Sequence, residues 1–187
     1  MHWLMLATLG GFIFASTPPS DGTSARTLDA LPRPSRPEID RLLHAPERKV
    51  RSTHPKITKM LSVGAQYSST FAGLLAALDR TDVIVYIEPV RDLPSTIEGR
   101  LVLLPLAHGQ RYLRIQVRGD LPRDELIPLL GHELRHALEI ADAPEVRDQS
   151  AMLALYRRIG EISSGPDSYD TVAAREAGKQ VRAELLG

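Results

Sequence analysis

The sequence predicts a single α+β domain, and three observations carry that expectation. Short β-branched or alternating runs occupy the middle of the chain, at residues 83–87 (VIVYI), 101–106 (LVLLPL) and 112–117 (YLRIQV). Stretches with helical periodicity lie on both sides of them, so strands and helices are segregated rather than strictly alternating. The length, 187 residues, suits one domain with a real core and is short for two. The expected architecture is a small antiparallel or mixed sheet of three to four strands packed on one prominent helix, with further helices at both ends.

The elements follow in order. Residues 3–15 (WLMLATLGGFIFA) are uncharged and apolar. The run is shorter than the roughly 20 residues a spanning helix needs. It reads as the centre of a signal peptide, or else as a short uncleaved anchor, and implies export to a periplasm or the exterior with no stable membrane span after processing. Residues 16–37 are rich in Pro, Ser, Gly and Thr and read as a flexible linker. Residues 38–187 form the expected folded domain, opening with a short helix after Pro37. Residues 55–80 have helical spacing, with Ile57, Met60, Leu61 and Gly64 on one face. Ser68, Ser69 and Thr70 are available to cap a second segment carrying Phe71, Leu74, Leu75 and Leu78. Asp82 begins a change of period, and the strand after it is expected to end at Pro89.

The runs at 101–106 and 112–117 predict a hairpin with a loop around Gly109, His108 being a turn residue at its tip. Tyr112, Arg114 and Gln116 alternate with Leu113, Ile115 and Val117, which gives one wet and one buried face. Pro105 pushes the first arm toward an edge. A helix capped by Asp124 should run to about Asp142, where Pro144 ends it. A helix over 146–158, a loop over 161–169 and a last helix over 171–186 capped by Asp170 complete the chain.

Composition excludes several chemistries. Lys+Arg and Asp+Glu are equal at 23 each, so no charge surplus points to nucleic acid or an anionic surface. There is no cysteine, which rules out disulfides, thiolate metal sites and thiol nucleophiles. A metal site in this chain has to use His, carboxylate and water.

The helix over 124–142 carries such a set. At about 100° per residue, His132 and His136 lie about 40° apart, one turn above the other. Ile127, Leu130, Leu134, Leu138 and Ala141 cluster on the opposite side. The histidines are therefore expected to face a cleft or solvent. Two imidazoles at i and i+4 can ligate one zinc at about 2.0–2.1 Å. Glu133 stands at the flank of their stripe, where a carboxylate can take a proton from an attacking water and pass it to a leaving amine.

The segment Gly131-His132-Glu133-Leu134-Arg135-His136-Ala137-Leu138 resembles the active-site helix of the zincin superfamily of metallopeptidases, over about ten residues. The resemblance implies a twisted sheet beside that helix, with an edge strand that pairs with an extended peptide substrate. It implies His132 and His136 as zinc ligands and Glu133 as general base. The third ligand stays open. The metzincin pattern H-E-x-x-H-x-x-G-x-x-H/D would place Asp142 at its last position, but Glu139 stands where that pattern has its turning glycine. Met152 is faintly like the methionine of the downstream turn. The gluzincins take a Glu from a later helix, for which Glu145 and Glu161 are candidates. Glu139 is on the histidine face but about 7.5 Å along the axis from the midpoint between them, which suits a partner of an imidazole better than a ligand. The order of preference is Asp142, Glu145, Glu161, Glu139. Tyr156, Tyr169 and Arg114 are candidates to stabilise an oxyanion. The function expected is zinc-dependent peptide hydrolysis. The rival readings are another zinc hydrolase on the same residues and an exported interaction domain with a degenerate motif.

Overall fold

The computed structural model describes residues 48–94, 96–163 and 168–187. The expected leader, linker and short helix after Pro37 lie outside the described residues. The β-branched run after Asp82 forms the spine of the sheet. It becomes β2 (Val83–Val90), preceded by β1 (Val50–Arg51) and by two helices, α1 (Pro55–Tyr67) and α2 (Ser69–Leu78). β3 (Gly99–Leu103) and β4 (Arg111–Arg118) follow, then the long helix α3 (Arg123–Ala141), α4 (Gln149–Ile159), the two-residue strands β5 (Glu161–Ile162) and β6 (Tyr169–Asp170), and α5 (Val172–Leu186).

The main sheet has the order β1-β2-β4-β3. β1 and β4 both run parallel to β2, and β3 is antiparallel to β4 at the edge. The sheet is therefore mixed. The hairpin forms as expected, with His108 and Gly109 at its tip in left-handed conformation, φ 52 and 75. β2 continues through Pro89 rather than stopping there. β1 reaches only Val85 and Tyr86, so Pro89 lies beyond its neighbour's end, where the missing N–H leaves no ladder bond unmade.

Alternation sets the core. Val83, Val85 and Ile87 of β2 and Leu113, Ile115 and Val117 of β4 are buried on one face. Ile57 and Leu61 of α1, Phe71 and Leu78 of α2, and Leu126, Leu130, Leu134 and Ala137 of α3 join them in one apolar cluster. The other face stays partly wet, with Tyr86 stacked on Tyr112 and the polar chain Arg100–Gln116–Glu88 across it.

α5 packs on α3, α2 and α1. Its end is tied to the start of α2 by Glu184. That carboxylate accepts from Ser68 Oγ at 2.5 Å, Thr70 N at 3.0 Å and Thr70 Oγ1 at 2.8 Å, while Ser68 caps α2 through Phe71 N. Burial opposes charge on Glu184, but these donors outweigh it and hold the group down at about 2. A carboxyl depressed in the folded state contributes stability above its unfolded value, about 4.3, and loses it as pH falls toward the folded value. Glu184→Gln is therefore expected to cost about 1–2 kcal/mol at pH 7, allowing for its partial exposure. Urea unfolding at a series of pH values should show the gap from wild type closing between about pH 5 and pH 2; a gap independent of pH would contradict the assignment.

Candidate metal centre

α3 begins at Arg123 after Pro122, with Asp124 in its first turn rather than at the cap. It continues without a break through Glu139 to Ala141, and Asp142 is its C-cap. The end of the helix is gripped from the sheet. Arg111, 1% exposed, forms a two-pronged pair with Asp82 and donates to the carbonyls of Ile140, Ala141 and Ala143 at 2.7, 3.0 and 2.8 Å. Two of the three also accept a backbone N–H, Ile140 from Ala143 at 3.2 Å and Ala143 from Val146 at 3.0 Å.

The face carrying the histidines is not open. α5 packs on α3, and His132 is 2% exposed, Glu133 1% and His136 0%. The histidines are thus buried rather than set toward the cleft or solvent that the helical wheel suggests. A second apolar layer, including Val181 of α5, covers α3 on that side.

His132 Nε2 and His136 Nε2 are 3.1 Å apart. Asp170 Oδ1 lies 3.5 Å from each. These three residues are the group of ligand atoms that could hold a cation. Four ligands placed tetrahedrally at zinc's usual bond length of about 2.0–2.1 Å stand about 3.3–3.4 Å from one another. The observed triangle of 3.1, 3.5 and 3.5 Å matches that spacing.

Among the described residues, Asp170 is the carboxylate that the structure groups with both histidines, and it was not among the sequence candidates. Asp142, ranked first there, is exposed at the end of a straight helix that never makes the turn its ligation would need. Glu145 is exposed and pairs with Arg158, and Glu161 is exposed and pairs with Arg175. Asp170 had been assigned to the cap of the last helix. Thr171 takes that place, accepting from Ala174 N, and so leaves the Asp170 side chain to the site. The sequence signal was two adjacent cap-competent residues before one helix, of which only one can cap. Arg175 steadies Asp170 from outside, at 3.5 Å from Oδ2.

Glu139 stands where the axial argument puts it, as a partner of an imidazole. Its Oε2 is 2.9 Å from His136 Nδ1, and its Oε1 accepts from Thr171 Oγ1 at 2.7 Å. Burial opposes charge on His136, but its bonds to Asp170 and Glu139 prevail and raise it to about 9. Burial, with the neighbouring His136 adding to it, lowers His132 to about 3.

Glu133 follows His132 on α3 and is near enough to His136 and Asp170 for their charges to act on it. Burial raises it to about 7, and its Oε2 has no hydrogen-bond partner among the described residues. It is accommodated by Gly99 at the start of the edge strand β3, where a Cβ would come within 2.7 Å of Glu133 Oε1. Gly99 was not anticipated from the sequence. A glycine at the start of a strand that borders an acidic group is its one visible sign.

The three oxyanion candidates separate. Arg114 lies on the wet face of the sheet, away from α3, and pairs with Glu88. The Tyr156 hydroxyl donates to the His136 carbonyl at 3.3 Å and its ring packs edge-on against His136, so it supports the helix. Tyr169 is buried next to Asp170. Met152 is buried in α4 as part of the core. No family model matches this chain, and no curated protein or solved structure shows significant similarity to it.

Proposed function

We propose that this chain is a zinc-dependent hydrolase of peptide bonds, with His132, His136 and Asp170 as the metal ligands and Glu133 as general base. The observation that carries the reading is the triangle of donor atoms, whose edges suit tetrahedral zinc. The donor set supports it chemically, since two imidazoles and one carboxylate leave a fourth position free, as in catalytic rather than structural zinc sites. Glu139 supports it further, because a ligating histidine ordinarily donates its other ring N–H to a carboxylate or carbonyl. The orphaned, buried Glu133 Oε2 is hard to explain in a purely structural role.

A bound zinc would supply Lewis-acid polarisation of a carbonyl and a water of lowered pKa. The proton work belongs to Glu133. Held near pH 7 by burial, it can accept a proton from the attacking water and deliver it to the leaving amine at neutral pH. His132 and His136 hold the centre on a rigid helix. Asp170 closes it from another element, and Glu139 keeps His136 in place. The apolar run at residues 3–15 supports a place outside the cytoplasm. Among the described residues no helix is long and apolar enough to cross a membrane.

The test is a digest. The purified chain, loaded with zinc, is incubated with a mixture of unmodified peptides, with and without a chelator. Cleavage that the chelator stops and added zinc restores is the expected result. A zinc-loaded chain that leaves every peptide intact but hydrolyses a non-peptide amide or ester would transfer the site to the other hydrolase reading.

A further inference from the structure

We infer that Thr171 is a positioning residue for the metal centre, fixing Glu139 and through it the His136 imidazole; the inference rests on the metal-site reading above. The Thr171 hydroxyl is 3% exposed as a residue and makes two bonds of opposite sense. It accepts from Ala174 N at 3.0 Å as the cap of α5, and it is 2.7 Å from Glu139 Oε1. A hydroxyl has a single hydrogen. The cap occupies a lone pair, so that hydrogen goes to Glu139. Glu139, itself 7% exposed, is thereby held with its other oxygen 2.9 Å from His136 Nδ1.

An ionised carboxylate can only accept, so His136 Nδ1 carries the proton whether the ring is neutral or charged. Nε2 is then the nitrogen that can bind a cation, and it is the one that faces His132 and Asp170. The same residue also grips the third donor, since Thr171 N donates to Asp170 Oδ1 at 2.7 Å. Thr171 thus links the ligand supplied by β6 to the ligand supplied by α3. Without its hydroxyl, Arg135 Nε, at 3.8 Å, remains as a cationic donor on the other side of Glu139 Oε1. A carboxylate drawn that way releases His136.

The prediction separates the cap from the relay. Thr171→Ser keeps both bonds and should hold zinc within about 3-fold of wild type, as seen in competition with a chromophoric chelator. Thr171→Val loses both and should weaken zinc by about 10–100-fold, the usual cost of removing an outer partner of a metal ligand. Asp148→Ala is the control. It removes the comparable cap of α4, an Asp148 bond to Ala151 N, and should leave zinc affinity unchanged. Should Thr171→Val fold poorly, Thr171→Ala takes its place; with either variant, Glu139→Gln should also weaken zinc, and the combined effect should fall short of the product of the two. Thr171→Val with wild-type affinity, or independent effects in the pair, would overturn the role of Thr171 while leaving the site intact. A wild-type chain that binds no zinc would instead remove the metal reading itself.

Discussion

Glu133→Gln is expected to bind zinc as tightly as the wild type and to cleave peptides about 10²–10⁴-fold more slowly, the range that positioned general bases contribute. The substitution is nearly isosteric, so it preserves the fit against Gly99 and the packing around α3. It removes the one group that can take and return a proton there. The neighbouring carboxylates are already committed, Asp170 to the histidines and Arg175, and Glu139 to His136 and Thr171. The loss should appear in kcat with KM little changed, as for an interaction made mainly in the transition state. A variant that keeps activity within tenfold of wild type would take Glu133 out of the role proposed for it.

The largest expected effect on stability is at Arg111. Arg111→Met should cost about 1–3 kcal/mol, the scale for leaving a buried acceptor without its donor; Asp82 is half-exposed, so its lost ion pair adds little. The methionine fills part of the volume, but the carbonyls of Ile140, Ala141 and Ala143 lose the guanidinium, the first and last keeping only a backbone N–H, and Asp82 loses its ion pair. For a domain of this size the fall corresponds to about 2–12 °C in Tm. Arg111→Lys should recover only part of it, because a single ammonium cannot hold Asp82 with two prongs and reach the helix end as well. Both variants, where folded, should still take up zinc, since the histidines lie above the clamp on α3. Thermal unfolding of the metal-free proteins measures the effect, and a loss below about 1 kcal/mol would mean that water replaces the clamp without penalty.

Local signals in the sequence were read well where the chain's own neighbours determine the outcome. Helical spacing located α3, and the hairpin was visible from its alternation and its tip. The parallel pairing of β2 with β4 was not legible. It joins segments separated by β3, and nothing in the local pattern of either strand specifies that neighbour. The helix read from 146 begins at Gln149, because Asp148 is its cap, and the two ends of the loop read over 161–169 pair as two-residue strands too short to leave a period.

At the site, the spacing of His132 and His136 and the flanking place of Glu133 follow from the helix itself. The other half of the centre comes from elsewhere in the chain. Asp170 reaches the histidines from β6 because Thr171, not Asp170, caps α5, and that choice depends on how α5 docks. The burial of the histidines has the same origin, since a wheel gives a residue's direction but not what covers it. Glu139 was placed correctly beside an imidazole because the rise per residue alone keeps it off the ligand triangle. Arg111 passed unnoticed because its partners are the last carbonyls of a helix that follows it in the chain.

The account turns on which carboxylate completes the centre. Bound zinc should be measured after exhaustive dialysis in wild type, Asp170→Ala and Asp142→Ala, side by side. One zinc per chain is expected in wild type and in Asp142→Ala, with affinity lowered by more than about 100-fold in Asp170→Ala, since losing a ligand should exceed the cost of losing an outer partner. Full zinc in Asp170→Ala would contradict the account, most directly if Asp142→Ala were the variant that lost it.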